Sequence, residues 1–373
     1  MRSEPFRVLS LDGGGMRGLY TATYLALLSE KFAQKRGAKA LDLGTAFDLI
    51  VGTSTGAIIA CALAAGVAPG NVALLYREHG QAIFGKPLPT RWSTLRLLPN
   101  LPFRAGALAR GDAALRAALT ATLGTITLGD VWSERGIALA VPAVEMSQHR
   151  PWVFKTPHLA TTNNRDSATT LVDVCRASSA APVYRSLAKL EHRDGIGGHS
   201  VFADGGLWAN NPVLVALTEA LEMTGGSDRG IEVFCLGTCP RPEGESIRGE
   251  RVHRGIGEWK FGGRAAALAV DAQEFAFDAM AKKLVAHLKR RCEIIRFPRG
   301  KVPASMMEYL DLDETRTEAF DAIMRQARAD HDMTWSHLND ASSREGAVIR
   351  SLFESAPVVT GTAENAVLDQ KTG

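Results

Sequence analysis

The stretch Phe47-Asp48-Leu49-Ile50-Val51-Gly52-Thr53-Ser54-Thr55-Gly56, followed by the alanine-rich run Ala57 to Ala65, decides how this chain is read. Phe47 to Val51 is a short apolar run suited to a buried strand. Gly52 to Gly56 is a tight turn, and Ala57 to Ala65 is a helix that Gly66 ends. A serine with glycine two residues before and two after, set between strand and helix, has the form of a nucleophile elbow. The reason is steric: only small residues fit beside so sharp a turn. The turn also lifts the hydroxyl to the carboxyl edge of a sheet, at a helix N-terminus. A plain glycine-flanked turn shares the pentapeptide, but does not require the strand before it or the apolar helix after it.

The same order stands earlier in the chain. Phe6 to Leu11 reads as a buried strand, Gly13 to Gly18 as a loop, and Tyr20 to Phe32 as a helix with Gly37 beyond it. A nucleophile needs donors for the negative charge of a tetrahedral intermediate. Asp12-Gly13-Gly14-Gly15-Met16-Arg17-Gly18 is a candidate, because consecutive glycines let backbone N–H groups converge on an anion at the positive end of a helix. Arg17 could hold the loop in shape or add positive charge. Gly13, Gly15 and Gly18 also satisfy the dinucleotide-binding pattern G-x-G-x-x-G. That pattern expects an acidic residue at the end of the next strand, where this chain has the serine elbow.

Downstream, Asn71 to Phe84 looks helical. Gly85 to Arg110 reads as an apolar, loop-like insertion carrying Trp92, Leu95, Leu97, Leu98, Leu101 and Phe103, and Asp112 then opens a helix that Gly124 closes. Ile137 to Val144 and Trp152 to Lys155 read as paired strands. Leu171 to Ser179 reads as a helix stopped by Pro182, and Val201 to Ala203 as a strand entering Asp204-Gly205-Gly206. Asn211 then Pro212 is a helix start, Ile231 to Leu236 a buried strand, and Glu243 to Arg264 a mobile glycine-rich loop. Asp271 to Leu288 and Phe320 to Trp335 are further helices, and the polar stretch from about Val359 is expected to be disordered. Strands alternating with helices imply an α/β fold, its mostly parallel central sheet covered by helices on both faces. Without a clean linker or internal repeat, the expected organisation is a domain over residues 1–300 with a helical extension of the same domain over 301–373.

The serine needs a base. None of the nine histidines sits in a turn that announces such a role, and most lie in polar stretches. Asp204 is better placed: it follows a strand, precedes two glycines and would reach the same sheet edge as Ser54. A partly desolvated aspartate beside a serine hydroxyl can take its proton directly.

Composition bounds the rest. With 373 residues, 46% hydrophobic and 22% charged, the chain has the make-up of an ordinary globular protein, and a net charge of +3 argues against a nucleic-acid polymer as partner. Five scattered cysteines fit a reducing compartment, and Cys235 and Cys239 lack the further ligands of a metal site. The N-terminus has no apolar signal stretch and no apolar run reaches about 18 residues, so the expectation is a cytoplasmic protein that meets membranes from their surface.

Three segments in order, Asp12 to Gly18, Gly52 to Gly56 and Asp204 to Gly206, resemble the patatin-like phospholipase family. Arg176-Ala177-Ser178-Ser179-Ala180-Ala181-Pro182-Val183-Tyr184 and the continuation of the third segment to Asn211-Pro212 fit the same pattern. Leu236-Gly237-Thr238 resembles a late strand of the family, with Cys239 where a glycine is expected. The resemblance covers roughly residues 5–300. It implies a patatin-like three-layer fold and a lipid acyl hydrolase of phospholipase A type, without metal or other cofactor. It makes Ser54 the nucleophile and Asp204 the base, with Gly13, Gly14, Gly15 and Gly18 as the oxyanion loop and Arg17 supporting it. Membrane phospholipids would be the substrate, met peripherally at the bilayer surface. The 85–110 insertion is a candidate lid or lipid-facing surface, with Arg91, Arg96 and Arg104 near headgroups. Similar bacterial proteins include phage-defence effectors switched on by cyclic oligonucleotides. The 243–264 loop and the basic Lys289-Arg290-Arg291 could receive such an anion, and a homo-oligomer is compatible with this picture. Two rivals stay open: a Ser-His-Asp carboxylesterase, and a nucleotide sensor that kept the fold without turnover.

Overall fold

In the computed structural model, the apolar runs become an eight-stranded sheet made of β1 (Phe6–Leu11), β2 (Leu49–Gly52), β3 (Ala138–Glu145), β4 (Arg150–Lys155), β5 (Ala188–Glu191), β6 (His199–Asp204), β7 (Ile231–Leu236) and β8 (Cys292–Arg296). The structure describes residues 4–84, 101–192, 197–239, 247, 249–255, 259, 263–298 and 302–359. The order is β5-β6-β3-β2-β1-β7-β8, with β4 on β3. Pairing is parallel from β3 through β2, β1 and β7 to β8, and antiparallel where β3 meets β4 and β6 and where β5 meets β6. The central strands are apolar throughout because both faces are covered, and successive side chains divide between two cores. Leu9, Leu11, Ile50 and Leu139 enter one core, whereas Val8, Leu49, Val51 and Ala138 enter the other.

The helices are α1 (Gly18–Lys35), α2 (Thr55–Ala64), α3 (Pro69–Phe84), α4 (Leu101–Leu123), α5 (Leu171–Ser178), α6 (Val213–Met223), α7 (Gly263–Ala286), α8 (Thr317–Asn339) and α9 (Arg344–Ser355). Residues of α1, α2, α3, α4, α5, α8 and α9 fill the first core, and α6 and α7 contribute to the second. The result is the three-layer α/β arrangement implied by alternating strands and helices. α8 lies on α1, where the Tyr20 hydroxyl donates to Asp330 and Tyr24 meets Thr334 at 2.8 Å. Phe32 of α1 stacks on Phe353 of α9 at 5.0 Å between centroids.

Two features of this sheet position the site. β4 pairs with Ala140–Glu145 along one edge of β3. On the other edge β2 ends opposite Ala140 and β6, running the opposite way, ends opposite Ala143. The two strands therefore finish head to head on β3, and the residues that follow them meet.

Several expected boundaries move. α4 begins at Leu101, so the last ten residues expected to be loop are helix, with Pro102 in the first turn where proline is tolerated. α7 begins at Gly263, eight residues before Asp271. Residues 85–100 of the insertion, most of the 243–262 stretch and the tail from 360 lie outside the described residues. Among the described residues, no helix is long and apolar enough to cross a membrane.

Candidate active site

Ser54 caps the N-terminus of α2 with φ 56° and ψ −118°. A positive φ is unusual for any residue with a Cβ, and it persists only where the surroundings enforce it. They do so here by close approach: a Cβ on Gly56 would lie 2.4 Å from the Leu11 carbonyl oxygen, so the start of α2 presses against the end of β1. The Thr53 hydroxyl donates to the Ala209 carbonyl at 2.6 Å and the Ser54 N–H donates to Ser178 Oγ at 2.9 Å. The elbow expected from the sequence is thus a turn fixed from several sides.

Asp204 closes β6 and is nearly fully buried. Ser54 Oγ donates to its Oδ2 at 2.7 Å, and the Gly206 N–H donates to its Oδ1 at 2.6 Å. Burial pushes the carboxyl up from 3.8 to about 6, against the pull of the Gly206 and Ser54 hydrogen bonds and of the Arg185 charge. An aspartate so poised is ionised at neutral pH yet basic enough to accept a proton. Arg185 is itself buried, 3.8 Å from Asp112 of α4, and Asp112 also binds Arg176 at 2.8 Å. The sequence reading did not single out Arg185, although it directly follows the Arg176 to Tyr184 stretch.

The glycine loop passes beside the serine: a Cβ on Gly13 would lie 3.3 Å from Ser54 Cβ. Its five singled-out residues occupy different situations. The Gly13 N–H donates to the Asn210 carbonyl at 2.9 Å, and the Gly13 carbonyl accepts from Thr238 Oγ1 at 2.9 Å. The Gly18 N–H bonds back to Gly15 and Met16 within the first helical turn. Arg17 donates through Nε to the Gly14 carbonyl at 3.2 Å and through Nη1 to Cys239 at 3.4 Å, which braces the loop. Among the described residues, the Gly14 and Gly15 N–H groups have no hydrogen-bond partner. Gly15 takes φ +59°, and a Cβ there would lie 2.2 Å from the Leu312 carbonyl, which accepts the Met16 N–H at 2.9 Å. The segment before α8 therefore supports the loop, a contact that no local pattern announces. At the loop's start, Asp12 pairs with Arg296 of β8 at 2.6 Å; burial pushes the carboxyl up and the guanidinium opposes it.

Among the described residues, no histidine bonds Ser54 or Asp204. The fully buried ring of His158 is occupied by Thr156 at 2.7 Å and Glu219 at 2.9 Å. All five cysteines are free thiols, and no group of His, Cys, Asp or Glu that could hold a metal occurs among the described residues.

The site thus combines, on a three-layer α/β fold, a serine elbow, a neighbouring glycine loop and a carboxylate on the serine hydroxyl. A model of the family described as patatin-like phospholipase matches residues 9–217, a window that includes the glycine loop, Ser54 and Asp204. The chain belongs to the patatin-like phospholipase family, whose activity is hydrolysis of lipids. It is 35% identical over 285 residues to a cGAMP-activated phospholipase of Pseudomonas aeruginosa, covering 74% of this chain and 75% of that one. A Vibrio cholerae protein of the same name is 31% identical over 284 residues, covering 74% and 76%. An Escherichia coli protein of that name is 37% identical over 213 residues, covering 57% and 55%.

Proposed function

We propose that the chain is a phospholipase A-type acyl hydrolase in which Ser54 is the nucleophile and Asp204 the base. The observation that carries this reading is the 2.7 Å hydrogen bond from Ser54 Oγ to a buried Asp204 carboxylate whose other oxygen is held by Gly206. Asp204 takes the Ser54 proton as the oxygen attacks the ester carbonyl. The carbonyl oxygen becomes an oxyanion, and the Gly14 and Gly15 N–H groups, at the positive end of α1, receive it. The carbonyl then reforms, the alcohol half leaves with the proton held on Asp204, and an acyl group stays on Ser54. Asp204 next takes a proton from water, which attacks the acyl-enzyme; as the bond to Ser54 breaks, Asp204 returns that proton to Ser54 Oγ, and the fatty acid leaves with both enzyme groups restored.

The dyad works at the surface of a phospholipid bilayer, on the cytoplasmic side. Residues 1–300 and the 301–373 extension act as one unit, as the Leu312 contact to the loop supports. Relatives named cGAMP-activated phospholipase support a cyclic dinucleotide as activator, and the resemblance to phage-defence effectors extends the proposal to that role. The test is mass spectrometry of mixed phospholipid vesicles incubated with the protein, with and without cGAMP. Free fatty acid and lysophospholipid appearing only with cGAMP is the expected result. Release that ignores cGAMP removes the activation step, and no release under either condition rejects the phospholipase reading.

A further inference from the structure

We infer that Ser178 is a positioning residue that sets nucleophile and base in register across the break in the sheet. This rests on the dyad reading and adds a residue to which that reading gives no part. The break lies on β3 between Ala140, opposite Val51 of β2, and Ala143, opposite Asp204 of β6. Pro142 falls in this gap. It has no N–H to offer, and on that edge no strand pairs with it among the described residues. A buried carbonyl in such a gap must find a donor elsewhere.

Ser178, at the end of α5 and 0% exposed, supplies it. Its hydroxyl donates to the Pro142 carbonyl at 2.7 Å and accepts the Ser54 N–H at 2.9 Å. Its own carbonyl accepts the Gly205 N–H at 3.1 Å, and the Ala180 carbonyl accepts the Asp204 N–H at 3.0 Å. A single residue thus holds the backbone at Ser54 through its side chain and the backbone beside Asp204 through its main chain. The hydroxyl has one proton and two lone pairs, so it can serve both gap partners at once. Among the described residues nothing else bonds the Ser54 N–H, and Ser54 sits at φ 56°, a conformation that relaxes unless it is held. Without the hydroxyl, the elbow shifts relative to Asp204 while the lipid-contacting surface stays as it was. The effect therefore falls on kcat rather than KM.

The experiment compares wild type, Ser178→Ala and Ser178→Cys on phospholipid vesicles in the presence of cGAMP, and with a fluorophosphonate probe that reacts with an activated serine. All rates are normalised to folded protein by near-ultraviolet circular dichroism. Folded Ser178→Ala is expected to lose roughly 10- to 100-fold in kcat with KM within about twofold, and to label more slowly by a similar factor. Ser178→Cys, which keeps the shape but bonds weakly, gives the same readout should the alanine variant not fold. Normal kcat and labelling per folded molecule in either variant overturn the inference, as does a loss confined to KM. Turnover that survives Ser54→Ala marks instead the failure of the dyad reading, which is a separate result.

Discussion

Replacing Ser54 by alanine is expected to lower lipid hydrolysis by at least about 10⁴-fold, in the range seen when a serine nucleophile is deleted. The oxygen that attacks is gone, and among the described residues no second hydroxyl bonds Asp204 Oδ2. The fold should survive. Alanine carries the same Cβ, so the strain at φ 56° is unchanged. The Ser54 N–H keeps its bond to Ser178, and the lost side-chain hydrogen bond to a carboxylate is worth about 1.5–3 kcal/mol. Thermal melting within a few degrees of wild type, with activity at background, is the expected pair of results. Activity within tenfold of wild type would remove Ser54 from the chemistry.

Asp204→Asn carries the second large effect, on the order of 10³- to 10⁴-fold in kcat, because the amide cannot take the Ser54 proton. Its effect on stability has the opposite sign. Burial raises the carboxyl from 3.8 to about 6, so the folded chain holds this proton more tightly than the unfolded chain does. Stability therefore falls as pH rises from 3.8 through about 6, and the penalty is complete above that value. It amounts to on the order of 3 kcal/mol, which an uncharged asparagine recovers at pH 8 but not in acid. Calorimetry at pH 8 and in acid checks this: the variant should melt higher than wild type only at the alkaline pH. In wild type the same group sets the acid limb, so kcat/KM falls as pH drops below about 6. Asp204→Asn should lose that limb along with the rate. A variant that keeps both would show that Asp204 is not the base.

Much of this was legible in the residues because it is local. The strand, glycine loop and helix at the start of the chain, the elbow around Ser54 and the strand Ile231–Leu236 each follow from a few adjacent side chains. What escaped the sequence depends on distant partners. Val201 to Ala203 reads as a strand whichever way it runs, so the head-to-head meeting of β2 and β6 on β3 had no signature. The glycines of the loop look alike in sequence, and only the Asn210 carbonyl separates Gly13, whose N–H is taken, from Gly14 and Gly15. Ser178 stood in plain view within the Arg176 to Tyr184 stretch, but its role needs Pro142 and Ser54 beside it. α9 does have a local signature: Ser343 Oγ accepts the Gly346 N–H at 3.0 Å, and Ile349, Leu352 and Phe353 follow at helical spacing. The start of α4 at Leu101 is hidden in the sequence because Pro102, Gly106 and Gly111 resemble loop residues, although proline fits a first turn.

The central claim, that Ser54 carries the acyl group during turnover, is tested most directly by trapping that intermediate. Protein incubated with a slowly deacylating ester, or with a fluorophosphonate, would be digested and the modified peptide sequenced by mass spectrometry. The account predicts one adduct, on Ser54, absent in Ser54→Ala and formed far more slowly in Asp204→Asn. An adduct on another residue, or lipid hydrolysis by a protein whose Ser54 stays unmodified, would contradict it.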